Sequence, residues 1–444
     1  MKSIWNRVAI ILASAALAAC GGGGGGGATP APALSASVKV NGQAVGAQAA
    51  DAYAVKPGDT VEITPNQSVD WSSNSAPAGV TANALLASPT QWRAQLVNET
   101  TSPVTYTVTA SAGGASKALQ FQVAGGDARN GSYKAFVSNG SRQTLALNFD
   151  SGSYTWTDAN DAVLSGSFSA DANEPGTYVF ASDRIAAVAN TARFHLTQDT
   201  VVGAFPFLVT QSANVTYAIQ PFIASRALET QQAALDGVYN RFAIDVGPNG
   251  STSNISQFRI SNGGTQLVRC DDAGIPTIDN CPPAALQAWL ITPGSTSGMW
   301  TMTEVANPSN TSNIALARVG EQKIFLIAGK SLSDPHAASF RIGVPESTEW
   351  PAGTGYGTAT SGSWGMVQVA ANNTSTRSGI ATDGSAVQTT NTFVPMGTGR
   401  PTGMRELPGN NGQLFFAMQG AKIFAIVGSN SMGTGGYLQL NLMD

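Results

Sequence analysis

Histidine occurs only twice in the 444-residue chain, at His195 and His336, so the side chain best suited to moving protons near neutral pH is almost missing. Charge is also sparse. Asp, Glu, Lys and Arg make up 11% of residues, where soluble domains carry about 25%. The surface must then be covered by Ser, Thr, Asn, Gln and Gly, a composition suited to an extracytoplasmic protein. The formal charge is −4, and loss of Lys2 and Arg7 with a leader would take it to −6. That balance argues against a nucleic-acid partner, which needs a basic patch to release counterions. The apolar stretch Val8 to Ala18 is too short to span a bilayer as a stable helix. Cysteine is limited to Cys20, Cys270 and Cys281.

What is present begins with an address. Lys2 and Arg7 precede the apolar stretch, which ends in Leu17-Ala18-Ala19-Cys20, a secretory pattern. The last four residues resemble the lipobox of bacterial lipoprotein precursors. The resemblance implies a signal peptide over 1–19, cleavage before Cys20, lipidation of Cys20, and a membrane partner reached through that anchor. Because Gly21 rather than aspartate follows, it also implies the outer membrane, with the surface or periplasmic face left open. The alternative is an ordinary cleaved signal with an incidental cysteine. Gly21 to Gly27 opens a flexible linker, 20–33, whose random-coil reach is about 20 Å. No strand precedes these glycines and no Gly-Lys-Ser/Thr follows, so they are not a phosphate loop. In an oxidising compartment Cys270 and Cys281 are expected to form a disulfide, stabilising by about 2 to 3 kcal/mol in the chain-entropy model. A thiol metal site lacks histidines nearby.

Residues 34–125 read as a first β domain. Short alternating runs (Ser35 to Val40, Thr60 to Thr64, Trp92 to Val97, Val104 to Ala110, Ala118 to Val123) are divided by turn formers such as Pro57-Gly58-Asp59. That turn, with Val69-Asp70-Trp71-Ser72-Ser73, is similar to the Pro-Gly-Asp turn and buried-tryptophan strand of bacterial immunoglobulin-like domains. The similarity implies a β-sandwich acting as a spacer. After Gly125-Gly126-Asp127 the chain repeats. Lys323-Ile-Phe-Leu-Ile-Ala-Gly329 matches Lys422-Ile-Phe-Ala-Ile-Val-Gly428 at five of seven positions. Each is a continuous apolar run, expected for a strand buried on both faces, and each follows a second apolar run and a turn, as in a terminal hairpin. Unit starts are read at Gly131-Ser132-Tyr133, Gly237-Val238-Tyr239 and Gly362-Ser363-Trp364. The expected fold is therefore all-β: an immunoglobulin-like sandwich followed by about three divergent repeats within 127–444, near 127–225, 233–345 and 360–444, as stacked sandwiches or barrels. Val201 to Val209 fits a tail for the first unit only weakly because Pro206 interrupts it. Arg226 to Leu235 and Pro282 to Leu290 have helical character, and Pro345 to Gly357 reads as a connector.

Catalytic signals are thin. His195 lies in an alternating strand and is expected to be half exposed. Ser331, Ser333, Asp334 and His336 bring triad residue types into one loop, but triads normally meet through the fold, and no Gly-x-Ser-x-Gly elbow accompanies them. Gly329-Lys330-Ser331 echoes a Walker motif whose earlier glycine is replaced by Ile324. The acidic clusters Asp271/Asp272/Asp279 and Asp158/Asn160/Asp161 match no calcium loop, nor does Asp171 to Gly176, and they read as solvated turns. Tyr154 and Trp156 share a strand face and read as core before sugar platform. No catalytic residue, metal or cofactor is assigned. The expected role is non-enzymatic: a membrane-anchored lipoprotein for binding, adhesion or assembly, with a protein or glycan ligand. Two alternatives stay open. One is an extracellular polymer-degrading hydrolase. The other treats the Gly-x-Tyr/Trp starts as similar to lipocalin-like barrels that carry small apolar ligands.

Overall fold

The computed structural model describes residues 33–48, 51–160, 162–184, 190–208, 217–247, 250–331, 334, 336–408, 414–430 and 433–444. Cys20, the glycine run, Asp161, Val209, Ser333 and Pro335 lie outside the described residues. The rest is all-β.

The first domain is a two-layer sandwich. One sheet has five strands and the other four, with Ala52–Val55 pairing parallel to Ala115–Val123 at the edge of the second. Alternation places Val61, Ile63, Trp92, Leu96, Val108 and Phe121 between the layers. Asp59 closes the expected turn, accepting from the Lys56 amide at 2.7 Å and from Asn41 Nδ2 at 2.8 Å. The buried tryptophan, however, is Trp92. Trp71 sits on the edge strand Asp70–Ala76, is half buried, and donates its indole N–H to the Ser88 carbonyl at 2.7 Å.

Beyond the sandwich stand two closed eight-stranded antiparallel barrels, each running strand to strand in chain order. The first covers Gly131–Val137 through Tyr217–Ser225, and the second Gly237–Gly247 through Ala338–Pro345. Their first tyrosines do the same work. Buried Tyr133 donates to the Arg129 carbonyl at 2.7 Å, and buried Tyr239 to the Leu235 carbonyl at 3.2 Å, so each ring plugs its own barrel base. The third unit is a nine-stranded sheet whose edge strands, Ala386–Thr392 and Val394–Pro395, are consecutive in the chain. Only Phe393 separates them, and its ring packs inside on Trp350 and Phe424 at 5.6 and 5.9 Å. The sheet therefore curls round almost to meet itself.

Several local expectations are corrected. The third unit begins at Gly353–Ala359, inside the stretch read as a connector; Gly362 lies in the following hairpin. A Cβ on Gly355 or Gly357 would stand 2.5 or 2.0 Å from the carbonyl oxygens of Leu442 and Leu440, so these glycines allow a tight strand contact rather than a loose link. Thr200–Leu208 runs through Pro206 without a break. Its neighbour Arg193–Thr197 pairs only as far as Gly203, which leaves an unpaired edge where proline is tolerated. Arg226 to Leu235 holds only a single 3₁₀ turn, Gln232–Leu235, because the preceding residues bond along the second barrel: Glu229 N to the Leu316 carbonyl at 2.8 Å, and Arg318 N to the Ala227 carbonyl at 2.7 Å. In Pro282 to Leu290, the turn Pro283–Ala285 gives way to strand at Leu286.

The two matching hairpins explain why their sequences are apolar throughout. Phe325 and Ile327 point into the second barrel, while Ile324, Leu326 and Ala328 point outward. In the third unit Phe424 and Ile426 point inward, and Ile423, Ala425 and Val427 outward, in the same register. The outward sets meet each other and Phe136, Val202 and Ile223 of the first barrel in one shared core. Leu326→Ala, at a fully buried position in that core, should cost about 2–5 kcal/mol. We expect its urea midpoint to fall accordingly, whereas a loss under about 0.5 kcal/mol, as on a free surface, would mean the units do not pack this way.

Candidate functional site

The two barrel lumens differ. The first is filled by rings: Tyr154, Trp156, Phe180, Phe194, Phe205 and Phe222 meet largely edge to face, with centroids 4.7–6.4 Å apart, the arrangement aromatic quadrupoles favour. Tyr154 and Trp156 are buried and present no platform to sugars. A hollow, apolar-lined carrier is thereby removed for this unit.

The second lumen is filled only at one end. Tyr239, Phe258, Trp289, Trp300 and Leu316 pack its base. Above them lies a cavity of about 350 Å³, lined by Phe258, Leu267, Trp289, Met302, Phe325 and Ile327 toward the base and by charged and amide side chains toward the mouth. The period of two along each strand places the charges. Two residues after Tyr239 comes Arg241, where the first barrel has Ala135 two residues after Tyr133; Asp245 follows on the same face. Arg269 projects from Gln266–Cys270 and Arg341 from Ala338–Pro345.

The three guanidinium groups are not equally paired. Arg341 lies 3.6 Å from Asp245, with Ser339 hydrogen-bonded to both. Arg269 lies 3.3 Å from Asp271, which also accepts from Gln287 Nε2 at 3.0 Å. Glu304 accepts from Asn310 Nδ2 at 2.6 Å. Arg241, 3% exposed, has no carboxylate in contact among the described residues: its Nη1 donates to Asn254 Oδ1 and Ser256 Oγ, both at 2.7 Å. Burial, then repulsion from Arg269 and Arg341, pulls its guanidinium well below the ordinary value, and those repulsions outweigh the attraction of Asp271 and Asp245. Two further donors on cavity-lining residues, Arg269 Nε and Trp289 Nε1, are buried without an acceptor. Such groups normally find partners.

Cys270 and Cys281 are bonded, as expected, with their sulfurs 1.98 Å apart. The bridge closes the loop that leaves the barrel directly after Arg269, beside Asp271 of the cavity wall. The acidic residues of that loop do not converge. Asp272 caps the Gly274 amide at 2.7 Å, and Asp279 pairs with Arg259 at 2.8 Å. Asp158 caps the amides of Asn160 and Ala162, and Asp171 pairs with Arg193 at 2.6 Å. No cluster of three metal-ligating side chains occurs among the described residues. Asp334 Oδ1 accepts from the backbone N–H of His336, a local turn, and the His336 side chain is exposed. Lys330 ends a strand rather than opening a phosphate loop.

A second cavity, about 850 Å³, lies between the curled edges of the third unit, with buried Arg377 in its wall. Its Nη2 donates to the Ser363 carbonyl at 3.2 Å. The arginines of both cavities escaped the sequence reading. Their one signal was mid-strand arginine in a chain poor in charge.

His195 is buried at 1% exposure, correcting the half-exposed expectation. Its ring lies 4.8 Å from Tyr356, Nδ1 pairs with Thr177 Oγ1 at 3.2 Å, and Nε2 with Asp444 Oδ1 at 2.9 Å. With the bond from Trp364 Nε1 to Glu174 at 2.8 Å, these contacts lock the first barrel to the third unit.

No family model and no curated protein matches the chain. Among solved structures, a DUF4784 family protein from Bacteroides caccae is similar at 10% identity, over 86% of this chain and 92% of that one, with a TM-score of 0.18. A quinonprotein alcohol dehydrogenase-like protein from Bacteroides thetaiotaomicron is similar at 10% identity over 90% and 98%, with a TM-score of 0.16. At these scores neither carries an argument.

The site of His195 yields a pH dependence. Burial, the largest effect, lowers its pKa from 6.5; Asp444 opposes this and Lys422 adds to it. The folded state thus binds fewer protons than the unfolded one, so this contribution is complete above the unfolded pKa and is lost as pH falls from about 6.5 through the folded value. Tm should fall between pH 7.5 and 5.5, and His195→Gln should flatten the profile. A wild-type Tm that is level or rises over that interval would contradict the assignment.

Proposed function

We propose that this chain is an extracytoplasmic lipoprotein, held on the outer membrane through Cys20, with a non-enzymatic binding role, and that the second barrel holds the ligand in its mouth. One observation carries the reading: of two barrels with the same strand plan, one lumen is filled and the other stops halfway, leaving a cup of about 350 Å³, within the usual range for small-molecule sites. Such sites join apolar surface to placed polar groups, and here an apolar floor lies under a more extensive polar and charged mouth. The address rests on the lipobox-like Leu17 to Cys20, the low charge and the disulfide, which suits an oxidising compartment. One acyl chain binds membranes only marginally, whereas several hold durably, so a multiply acylated Cys20 would keep the protein in place. The rival hydrolase reading needs an acid and a base facing one another. The carboxylates of Asp245, Asp271 and Glu304 each accept from a neighbouring donor instead, and the two aspartates serve as counter-charges to Arg341 and Arg269.

Three measurements test this. Cys20→Ser should move the protein from the membrane fraction to the soluble one; retention would sink the anchor. Protease shaving of intact cells assigns the face, since resistance excludes surface display. Soluble protein from Ala28 onward should leave a broad ester, glycoside and peptide panel unchanged, and turnover would overturn the non-enzymatic role.

A further inference from the structure

We propose that the mouth of the second barrel takes a small organic carboxylate carried on an apolar body, with Arg241 receiving the carboxylate; this deepens the binding role assigned above and rests on it. Three independent features converge. The first is a deficit of acceptors: among the described residues Arg241 makes its two hydrogen bonds through Nη1 alone, to neutral oxygens, which leaves the rest of its fork to an acceptor in the cavity it lines. The groups left over are guanidinium N–H, which only donate. The partner they lack is an acceptor. The second is charge. Arg269 and Arg341 are each matched by a carboxylate, Asp271 and Asp245, and the third carboxylate of the lining, Glu304, is held by Asn310 and pairs with no arginine, so the cation without a carboxylate in contact among the described residues is Arg241, the most deeply buried of the three. Guanidinium forks match carboxylates in two parallel bonds, and such charge-assisted pairs are stronger than neutral ones. The third is the floor. Phe258, Leu267, Met302, Phe325 and Ile327 offer nothing to an inorganic anion, but they would remove a hydrocarbon or aromatic body from water. An ordinary structural arginine would not need this combination of a missing counter-ion, spare donors and an apolar floor with open volume.

The test uses calorimetry on the soluble chain with three probes: 4-phenylbutyrate, its uncharged amide, and inorganic phosphate. Phenylbutyrate should bind and raise Tm. The amide should bind about tenfold or more weakly, the range expected for losing a hydrogen bond to a charged group. Phosphate should bind far more weakly than either. Arg241→Gln should lose about tenfold or more for the acid and little for the amide, while its ligand-free Tm stays level or rises because an uncompensated buried charge is gone. Equal binding of acid and amide by the wild type, or an Arg241→Gln variant that folds and binds the acid unchanged, overturns the carboxylate assignment and leaves the binding cup standing. Phosphate binding as tightly as phenylbutyrate overturns the apolar body. Failure of both acid and amide overturns this inference and the ligand-holding cup with it. If Arg241→Gln does not fold, the acid–amide comparison on the wild type, with Arg269→Lys as second variant, still decides.

Discussion

The fold beyond the sandwich depends on burying the outer faces of its three curled sheets against one another. A strand with one wet face alternates, and its sheet can stand alone. Ile324 to Ala328 and Ile423 to Val427 cannot, because both of their faces are apolar and both are covered, one by the unit's own lumen and one by the neighbouring units. Separating the units would expose the apolar outer faces of both hairpins together, the kind of contiguous patch that marks an interaction surface. The three sheets are therefore one body built on a common core, rather than beads on a string. The sandwich is joined to them differently, through polar contacts such as Gln95 Nε2 to Ser153 Oγ at 2.9 Å and Asn130 Nδ2 to the Asn98 carbonyl at 3.4 Å, which suits a spacer.

That constraint leaves the lumens free. The outer faces are tied to each other, so residues there must remain apolar and matched in size, as the shared register of the two hairpins shows. Inward positions answer only to their own unit, and they have diverged: rings in the first, arginines in the mouth of the second, an open seam in the third. Burying three guanidinium groups opposes stability, since taking an ion out of water costs several kcal/mol and pairing returns that only with good geometry. The shared core supplies the surplus that makes such a lumen tolerable. Departures from ordinary packing of this kind concentrate where a protein does something other than fold.

Much of this was legible in the sequence, because period and composition are local signals. The all-β class, the two matching hairpins, the core role of Tyr154 and Trp156, and the Cys270–Cys281 bridge all follow from spacing or compartment, although the hairpins read as terminal are each followed by one more strand, Ala338–Pro345 and Leu438–Met443. The failures share another cause: each depended on a partner distant in the chain. His195 reads as half exposed until Tyr356 and Asp444 of the third unit cover it. Gly353 to Gly357 reads as a connector until the carbonyls of Leu440 and Leu442 require the absence of side chains. Trp71 and Trp92 look alike until one falls on an edge strand and the other between sheets. Arg241 is silent for the same reason, since only barrel closure brings it near Arg269 and Arg341.

The disulfide acquires a second meaning from the same geometry. In the chain-entropy account a bridge across eleven residues stabilises by restricting the unfolded chain. Its position adds something local. Cys270 ends the strand that carries Leu267 and Arg269, and the next residue, Asp271, supplies Arg269 with its counter-charge. A chain leaving a barrel rim is where backbone order usually weakens, yet here three successive residues contribute an arginine, a tether and a carboxylate to one wall of the cup. Cys281, Ile278 and Cys270 pack together behind that wall, so the loop's return is held as firmly as its departure. The bridge thus stands where a binding mouth needs rigidity, because a site whose polar groups are fixed in advance loses less freedom when it closes on a ligand.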